Sequence, residues 1–460
     1  MEKRGIPAVV VQRREFVGAT KNAVAGLGFP PEVAMVVFPV GLFLVGSDLA
    51  PIGQNLDAFI HGLTRWRPSI QETKKIDPPP VEIEGRDYQE RFAEMNRLFL
   101  AKRWGDGLPI LPPTADRVKW LMRGTDLPPD ARIGKILPQG RIATIKTLAV
   151  ALAMAGGRPE YLPVLIATVE AVIDPGLAHQ SWQAGSSSVY PAVIVNGPVA
   201  RQIRLNSGFG LLGPDALHPA GGLIGRALRL LLQNVGGAVP GVGTMSQFGG
   251  MRYTNAVFGE DEEGLPSGWE PLSVEYFGVP RGANSVTVYT VSSAVNITRR
   301  GTGKETPEEE ALGSLYRIAA YMEAPNIHGL VGYNEGAPGI LLLSSIAARQ
   351  LGNLGWTKEK IKKFLWENSK IPISKLKRAG MFFYFEDRGI DPQTLPDPWP
   401  IARKPENLMI VVAGGRHPSQ AYWMQGALGP KAVSARVHLP AGWEELLKEA
   451  DAEMGPAPVE

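Results

Sequence analysis

The chain has 460 residues, 44% hydrophobic and 20% charged, which is enough for two or three domains with a buried core. Its net charge of +3, from 48 basic and 45 acidic residues, gives no electrostatic reason to expect nucleic acid or an anionic membrane as a partner. The sequence contains no cysteine, which excludes disulfides, thiolate nucleophiles and thiolate-bound metals within it. Its apolar runs are too short for a signal peptide or a membrane span, so we expect a cytoplasmic protein.

The first 66 residues follow the pattern of a parallel α/β layer. We predict strands at residues 6–11 and 34–40 and helices at residues 14–27 and 55–66. The opening EKRGIP is typical of a helix end and a turn before an internal strand. Two parallel strands with one crossover helix cannot cover both faces of a sheet, so we predict half a domain that another polypeptide completes. The alternative is that both strands join a sheet formed later in this chain.

The remainder divides into a linker and two regions. Residues 67–86 include three consecutive prolines and are typical of a semi-rigid linker. Residues 87–298 are predicted to form a glycine-rich α+β core domain, and residues 299–460 a C-terminal α/β region. The predicted fold class is therefore α/β, with a partial parallel layer at the N-terminus. Further predicted strands lie at residues 191–196, 251–258, 273–277 and 285–297, and further helices at 87–104, 118–122, 142–155, 163–173, 223–232, 311–322 and 443–454.

The main candidate site lies in residues 206–250, where two glycine-rich loops flank one apolar helix. The unpaired N–H groups and the positive end of the dipole at a helix start suit a carboxylate or another anion. The alternative is close packing of the loops, with the arginines at the surface. The candidate substrate-binding residues here are Asn206, Gly208, Gly221, Gly222, Arg226, Asn234 and Arg252, with Arg229 on the same side of the helix as Arg226.

A second candidate site follows the buried strand that begins near Asn407 and ends at Gly414 and Gly415. Both glycines are candidates for substrate binding, and His417 and His179 are candidates for moving protons. Further patterns are an Asp174, His179 and Ser186–Ser188 triad, an acidic turn at residues 260–263 and His328. We expect the acidic turn to be solvated rather than a metal site, and His328 to be structural rather than functional.

Seven segments carry a resemblance to a known family: DGLPILPPTADRV, MAGGRPEYLPV, VIVNGPVA, NSGFGLLGP, IGRALRLLLQNVGG, PSGWEPLSVEYFG and VVAGGRH. The chain resembles the large bacterial family associated with the UGSC (seleno)protein domain. Its first 66 residues look like the second half of a UGSC-like domain. The sequence departs from the family pattern at Gly157, where a cysteine is usual, near Ala347, where a histidine is usual, and in the terminal GGRHPSQ run, where His417 can replace a later histidine.

The resemblance implies that a small partner subunit carries the reactive cysteine or selenocysteine. We therefore expect the large subunit of a heteromeric enzyme that cleaves a small molecule by redox chemistry. One alternative is a cobalt-type, nitrile hydratase-like subunit, with cobalt, copper or zinc held mainly by the partner. A second is a non-catalytic scaffold for the UGSC-like chain, and a third is a stand-alone hydrolase using Ser186 and His179. The cofactor and substrate stay open.

Overall fold

The computed structural model describes residues 6–29, 33–44, 46–67, 80–252, 254–298, 301–323, 338–387, 389–418, 420–427 and 431–457. The strands are β1 (Val10–Arg13), β2 (Met35–Phe38), β3 (Arg132–Ile136), β4 (Arg141–Thr144), β5 (Tyr190–Asn196), β6 (Ala256–Gly259), β7 (Ser285–Thr298), β8 (Gly339–Leu343), β9 (Met409–Val412), β10 (Gln420–Gly426) and β11 (Val433–Arg436). The helices are α1 (Val17–Gly26), α2 (Ala50–Gln54), α3 (Leu56–Thr64), α4 (Tyr88–Lys102), α5 (Ala115–Leu121), α6 (Ile145–Ala155), α7 (Leu162–Ile173), α8 (His179–Ala184), α9 (Val199–Gln202), α10 (Ala220–Asn234), α11 (Leu272–Phe277), α12 (Pro307–Met322), α13 (Ser345–Asn353), α14 (Lys358–Asn368), α15 (Ile373–Arg378), α16 (Phe383–Glu386) and α17 (Trp443–Met454). The predicted α/β fold class is confirmed.

The N-terminal unit contains a small parallel sheet. Strands β1 and β2 pair with Val10 opposite Met35 and Arg13 opposite Phe38, and α1 connects them. This sheet has two strands only, and within the described residues neither strand pairs with the large sheet. The alternative that both strands join a later sheet of the same chain is therefore wrong for the part of the chain that the structure describes.

The large sheet has the strand order β6-β5-β7-β10-β8-β9, with β11 beside β7. It takes strands from both predicted regions, 87–298 and 299–460. Its two ends approach each other, because the Asp261 N–H after β6 donates to the Val412 carbonyl of β9 at 2.7 Å. The sheet therefore curls, and apolar side chains of the six strands other than β11 fill its interior. Among them are Ile194, Phe258, Tyr289, Leu342, Val411 and Met424.

The sheet is built from two similar halves. In the first half, β5 is parallel to β6 and antiparallel to β7. In the second half, β8 is parallel to β9 and antiparallel to β10, and β7 and β10 pair where the halves meet. The first strand of each half leads into a similar helix, with the sequence VARQI at residues 199–203 and AARQL at residues 347–351. Each half therefore repeats one strand-helix-strand-strand unit.

Helices cover the outer face of each half. Side chains of β5 alternate, so that Ile194 points inward while Val193 and Val195 pack in a cluster with α6, α7 and α10. In the second half, Leu341 and Leu343 pack outward in a cluster with α12, α13 and α14. Helices thus lie outside the curled sheet. The loops at the ends of its strands are not covered by these helices and can contribute to ligand-binding sites.

One predicted helix has the bounds that were predicted, and two others begin at side-chain caps. Helix α17 spans residues 443–454 as predicted. Thr114 caps α5 by accepting the Arg117 N–H, and Thr306 with Glu309 forms the capping box of α12. Most of the predicted linker, residues 68–79, lies outside the described residues.

One predicted strand and the predicted solvation of the acidic turn are wrong. Residues 273–277 belong to helix α11 rather than a strand, because Pro271 starts a turn in which the Val274 N–H donates to its carbonyl at 3.0 Å. The acidic turn is not fully solvated, because the Glu260 side chain is buried. Glu260 instead accepts the Leu272 N–H at the start of α11, at 2.8 Å.

Candidate functional site

Helix α10 runs through the centre of the candidate site. It is longer than predicted and mostly buried, but Arg226 and Arg229 form a less buried stripe along one side. Its glycines serve close packing: a Cβ at Gly221 would lie 2.5 Å from the Val257 carbonyl oxygen, and one at Gly222 2.9 Å from Pro214. This geometry favours the packing interpretation of these two glycines over direct ligand contact.

The first glycine loop contacts the loop after β9. Asn206 holds the first loop, since its side chain accepts the Gly208 N–H and donates to the Phe209 carbonyl, both at 2.8 Å. The Gly414 N–H donates to the Ser207 carbonyl at 2.7 Å. Gly415 lies against the exposed Phe209 ring, and a Cβ at Gly415 would lie 2.3 Å from that ring and displace it. The two glycine segments therefore form one packed junction.

A cavity of about 490 Å³ lies between α10, the end of α4 and the second glycine loop. Charged and polar side chains dominate one part of its wall, and Leu100, Val239 and Pro240 form an apolar part. The other lining residues are Arg103, Gly105, Asp106, Arg229, Gln233, Thr244, Ser246, Gly249, Gly250 and Arg252. This volume suits a small molecule.

Arg252 is the most buried cation of the cavity, with 6% of its surface exposed. Its guanidinium donates to the carbonyls of Trp182, Val189, Gln183 and Ser187 and to Thr244 Oγ1, the last at 2.6 Å. All these acceptors are neutral. Burial, and after it the charge of Arg229, lowers the pKa of Arg252 to about 10, so Arg252 still carries its charge at neutral pH.

Arg229 has unused donors. Its Nη1 donates to the Ala238 carbonyl at 3.1 Å, and its Nε and Nη2 donate to no described residue. Burial lowers the pKa of Arg229, and the charge of Asp106 acts in the opposite direction. Arg103, which ends α4 in the left-handed conformation, adds a third, exposed cation to the same wall.

Arg226 and Asn234 hold the segment that follows α4. Arg226 pairs with Asp106 through Nε at 2.7 Å and Nη2 at 3.0 Å, and donates to the Pro109 carbonyl at 2.9 Å. Asn234 donates to the Trp104 carbonyl at 2.7 Å. Burial raises the pKa of Asp106, but the pairing with Arg226 outweighs it and the pKa is lowered overall. Both predicted site residues therefore position a wall of the cavity.

His179 lies outside this wall. It is 5% exposed, and its Nε2 accepts the Leu137 N–H at 2.8 Å. Burial lowers the pKa of His179 to about 4, so the ring is neutral near pH 7. Asp174 accepts the Gly176 N–H, and Ser188 Oγ accepts the Phe248 N–H. Because Nε2 of His179 already accepts the Leu137 N–H, this nitrogen is not available to take a proton from a serine, as the base of a hydrolytic triad does.

His417 is exposed in the loop after β9, where its carbonyl accepts a hydrogen bond from Ser344 at 2.7 Å. It belongs to the glycine junction and not to the wall of the arginine cavity. His328 lies outside the described residues.

A buried charge network joins the two halves of the sheet and was missed by sequence reasoning. Lys358 of α14 lies 3.8 Å from Glu260 and 3.1 Å from Glu275, and Lys362 pairs with Glu275 as well. Asn196, at the end of β5, donates to Glu260 at 2.7 Å. Burial raises the pKa of Glu260, and Lys358 opposes this effect. Two cations and two carboxylates balance here, which is typical of a structural network.

Models of known protein families, curated protein sequences and solved structures all gave no match to this chain. Over the described residues, no group of three or more histidine and acidic side chains is placed to hold a metal ion. No described helix combines the length and apolar character needed to cross a membrane.

Proposed function

We propose that this chain is the large subunit of a heteromeric enzyme that acts on a small molecule. A small partner subunit supplies the reactive thiol or selenol, since this sequence holds no cysteine. The observation that carries the proposal is the isolated parallel pair of β1 and β2, whose outer edges have no strand partner among the described residues. Parallel pairs normally lie inside larger sheets that helices cover on both faces.

Helices α2 and α3 add an uncovered apolar stripe beside this sheet. Its members, spaced three or four residues apart, are between 36% and 60% exposed: Leu49, Ile52, Leu56, Ile60 and Leu63. Within α3, the spacing of Leu56, Ile60 and Leu63 places these three side chains on one helical face, whereas such a face is normally buried. The stripe is therefore suited to contact the apolar surface of a partner protein.

The N-terminal unit exposes a large apolar area. A dozen large apolar side chains of the N-terminal unit, each about half exposed, present on the order of 1,000 Å², and each partner in a standard interface buries roughly 800 Å². They are Ile6, Val11, Leu27, Val37, Val40, Phe43, Leu44, Leu49, Ile52, Leu56, Ile60 and Leu63. The partner we propose adds strands to the β1–β2 sheet and packs on this surface.

The N-terminal unit also contacts the loop that borders the arginine cavity. Asn22 of α1 donates to the Val242 carbonyl at 3.2 Å and accepts from Gln139 at 3.1 Å. Residues 239–244 therefore have α1 on one side and contribute Val239, Pro240 and Thr244 to the cavity. A partner bound to the N-terminal unit is thus near the cavity, where its reactive group can meet a bound substrate.

Redox cleavage is the reaction class we favour. In the U/C-G-S-C motif that the family resemblance implies, two chalcogen atoms lie three residues apart. Their oxidation to a disulfide or selenenylsulfide releases two electrons and two protons, which suffices to cleave one bond reductively. The role of this chain is then to hold the substrate.

Affinity purification from the native host tests the proposal. We expect wild type to retain a small cysteine- or selenocysteine-containing chain at about one to one. Ile60→Asp should lose it, because a charge would face an apolar interface. Leu217→Asp, at a 64% exposed position outside the N-terminal unit, should retain it. A wild-type chain that purifies alone, or equal retention by all three proteins, would contradict the proposal. Metal analysis of the complex separates redox cleavage from hydration.

A further inference from the structure

The arginine cavity carries excess positive charge. Arg103, Arg229 and Arg252 line it, and both oxygens of the carboxylate on its wall, Asp106, are already bound by Nε and Nη2 of Arg226. Four cations therefore accompany one anion. Burying charge without a counter-charge is costly, so such an arrangement favours an anionic occupant.

Arg252 and Arg229 differ in how many of their N–H donors already bind the protein. The N–H groups of Arg252 donate to protein acceptors, so Arg252 contributes chiefly its positive charge to the cavity. Nε and Nη2 of Arg229 donate to no described residue, and these two atoms form one edge of its planar guanidinium. Such an edge matches the two oxygens of a carboxylate or phosphate.

Thr244 supplies a further donor. Its Oγ1 accepts from Arg252 at 2.6 Å and from the Ser246 N–H at 3.5 Å, and its hydroxyl donates to no described residue. Thr244 lines the same cavity as Arg229. One hydroxyl and one guanidinium edge of the lining residues are therefore available to donate.

We propose that this cavity is an oxyanion-binding site, in which Arg229 holds the carboxylate or phosphate group of a small organic molecule and Arg252 supplies a fixed positive charge. The apolar wall of Leu100, Val239 and Pro240 contacts the rest of that molecule. Binding itself depends only on this chain. The identification of the oxyanion as the substrate rests on the proposed function.

Isothermal titration of the purified full chain with inorganic phosphate and with succinate tests the site. We expect saturable one-to-one binding of at least one of them to wild type. Arg229→Gln should weaken it by roughly tenfold to a hundredfold, as expected for the loss of a charged hydrogen-bond donor. Arg229→Lys, which keeps the charge but not the planar edge, should fall between. Arg201→Gln removes a surface arginine that pairs with Glu263, and should bind like wild type.

The outcomes decide both the site and the ligand class. Binding of phosphate alone indicates a phosphorylated ligand, and binding of succinate alone indicates a carboxylate. A thermal unfolding scan without ligand shows whether Arg229→Gln is folded. A folded Arg229→Gln that binds as tightly as wild type, or a wild type that binds neither anion at millimolar concentration, would overturn the proposal. Loss of the partner subunit in the native purification would leave these results unaffected, so the two proposals fail separately.

Discussion

Arg229 of α10 and Arg252 of the segment before β6 line one cavity, and the charge of Arg229 adds to burial in lowering the pKa of Arg252. Two like charges repel more strongly in a buried site than in water. Arg252 is held nevertheless, because its donors bind carbonyls of the 182–189 segment. An anion bound in this cavity would reduce the repulsion between the two arginines.

Arg252→Met should destabilise the protein by about 3 kcal/mol, because it leaves several buried carbonyls without their donor. Urea unfolding measures the effect. Arg201→Met, at a surface position, should change the free energy of unfolding by less than about 0.5 kcal/mol. Equal stabilities of the two variants would show that the Arg252 hydrogen bonds do not hold the 182–189 segment.

Gly225→Ala should cost about 3 kcal/mol or prevent folding, because a Cβ at Gly225 would lie 1.6 Å from the Thr254 carbonyl oxygen. Gly53→Ala in α2 is the matched control, since a Cβ at Gly53 would meet no described atom within 4 Å. It should stabilise its helix by about 0.5 to 1 kcal/mol. Thermal unfolding of both variants checks this, and a harmless Gly225→Ala would mean that α10 does not pack so closely on β6.

His179 should make stability fall as the pH falls. Burial lowers its pKa in the folded state from 6.5 to about 4, so the unfolded chain binds the proton first. The contribution of His179, about 3 kcal/mol for this shift, is complete above pH 6.5 and is lost as the pH falls towards 4. His179→Gln keeps an acceptor for the Leu137 N–H and should show a shallower fall. Denaturant unfolding between pH 7 and 4.5 compares the two; identical slopes would contradict a buried neutral histidine.

Lys358→Met should destabilise the protein by roughly 3 to 5 kcal/mol, because it removes the cation closest to buried Glu260. The matched control is Lys363→Met, on the exposed side of the same helix. It should shift the free energy of unfolding by less than about 1 kcal/mol. Chemical denaturation distinguishes the two, and a mild effect of Lys358→Met would indicate that Glu260 is protonated in the folded state.

Local signals predicted the elements whose structure depends on nearby residues. The helix predicted at residues 443–454 is observed with the same bounds, and the helix predicted at residues 311–322 is observed as α12, which the capping box of Thr306 and Glu309 starts four residues earlier. Residues 273–277 were predicted as a strand because polar and apolar residues alternate in SVEYF. In the structure, Pro271 and the hydrogen bond from the Leu272 N–H to Glu260 start a helix there. The burial of Glu260 depends on Lys358, about a hundred residues later, and no local pattern reveals it.

The candidate site was predicted in part. Arg252 was expected to bind substrate and does line the cavity, whereas Arg226 and Asn234 support its wall. The spacing of Arg226 and Arg229 placed both on one side of a helix. That Arg226 rather than Arg229 forms the ion pair with Asp106 depends on the tertiary fold. The similar segments VARQI and AARQL were the sequence signal that could have predicted the two similar halves of the sheet.

Native mass spectrometry of the untagged protein from its own host tests the central claim most directly. The chain alone accounts for 49.7 kDa. We predict a larger native mass that separates on denaturation into this chain and a smaller one bearing a cysteine or selenocysteine. A native mass of 49.7 kDa, or a multiple of it, with no second chain would contradict the claim that a partner completes the β1–β2 sheet.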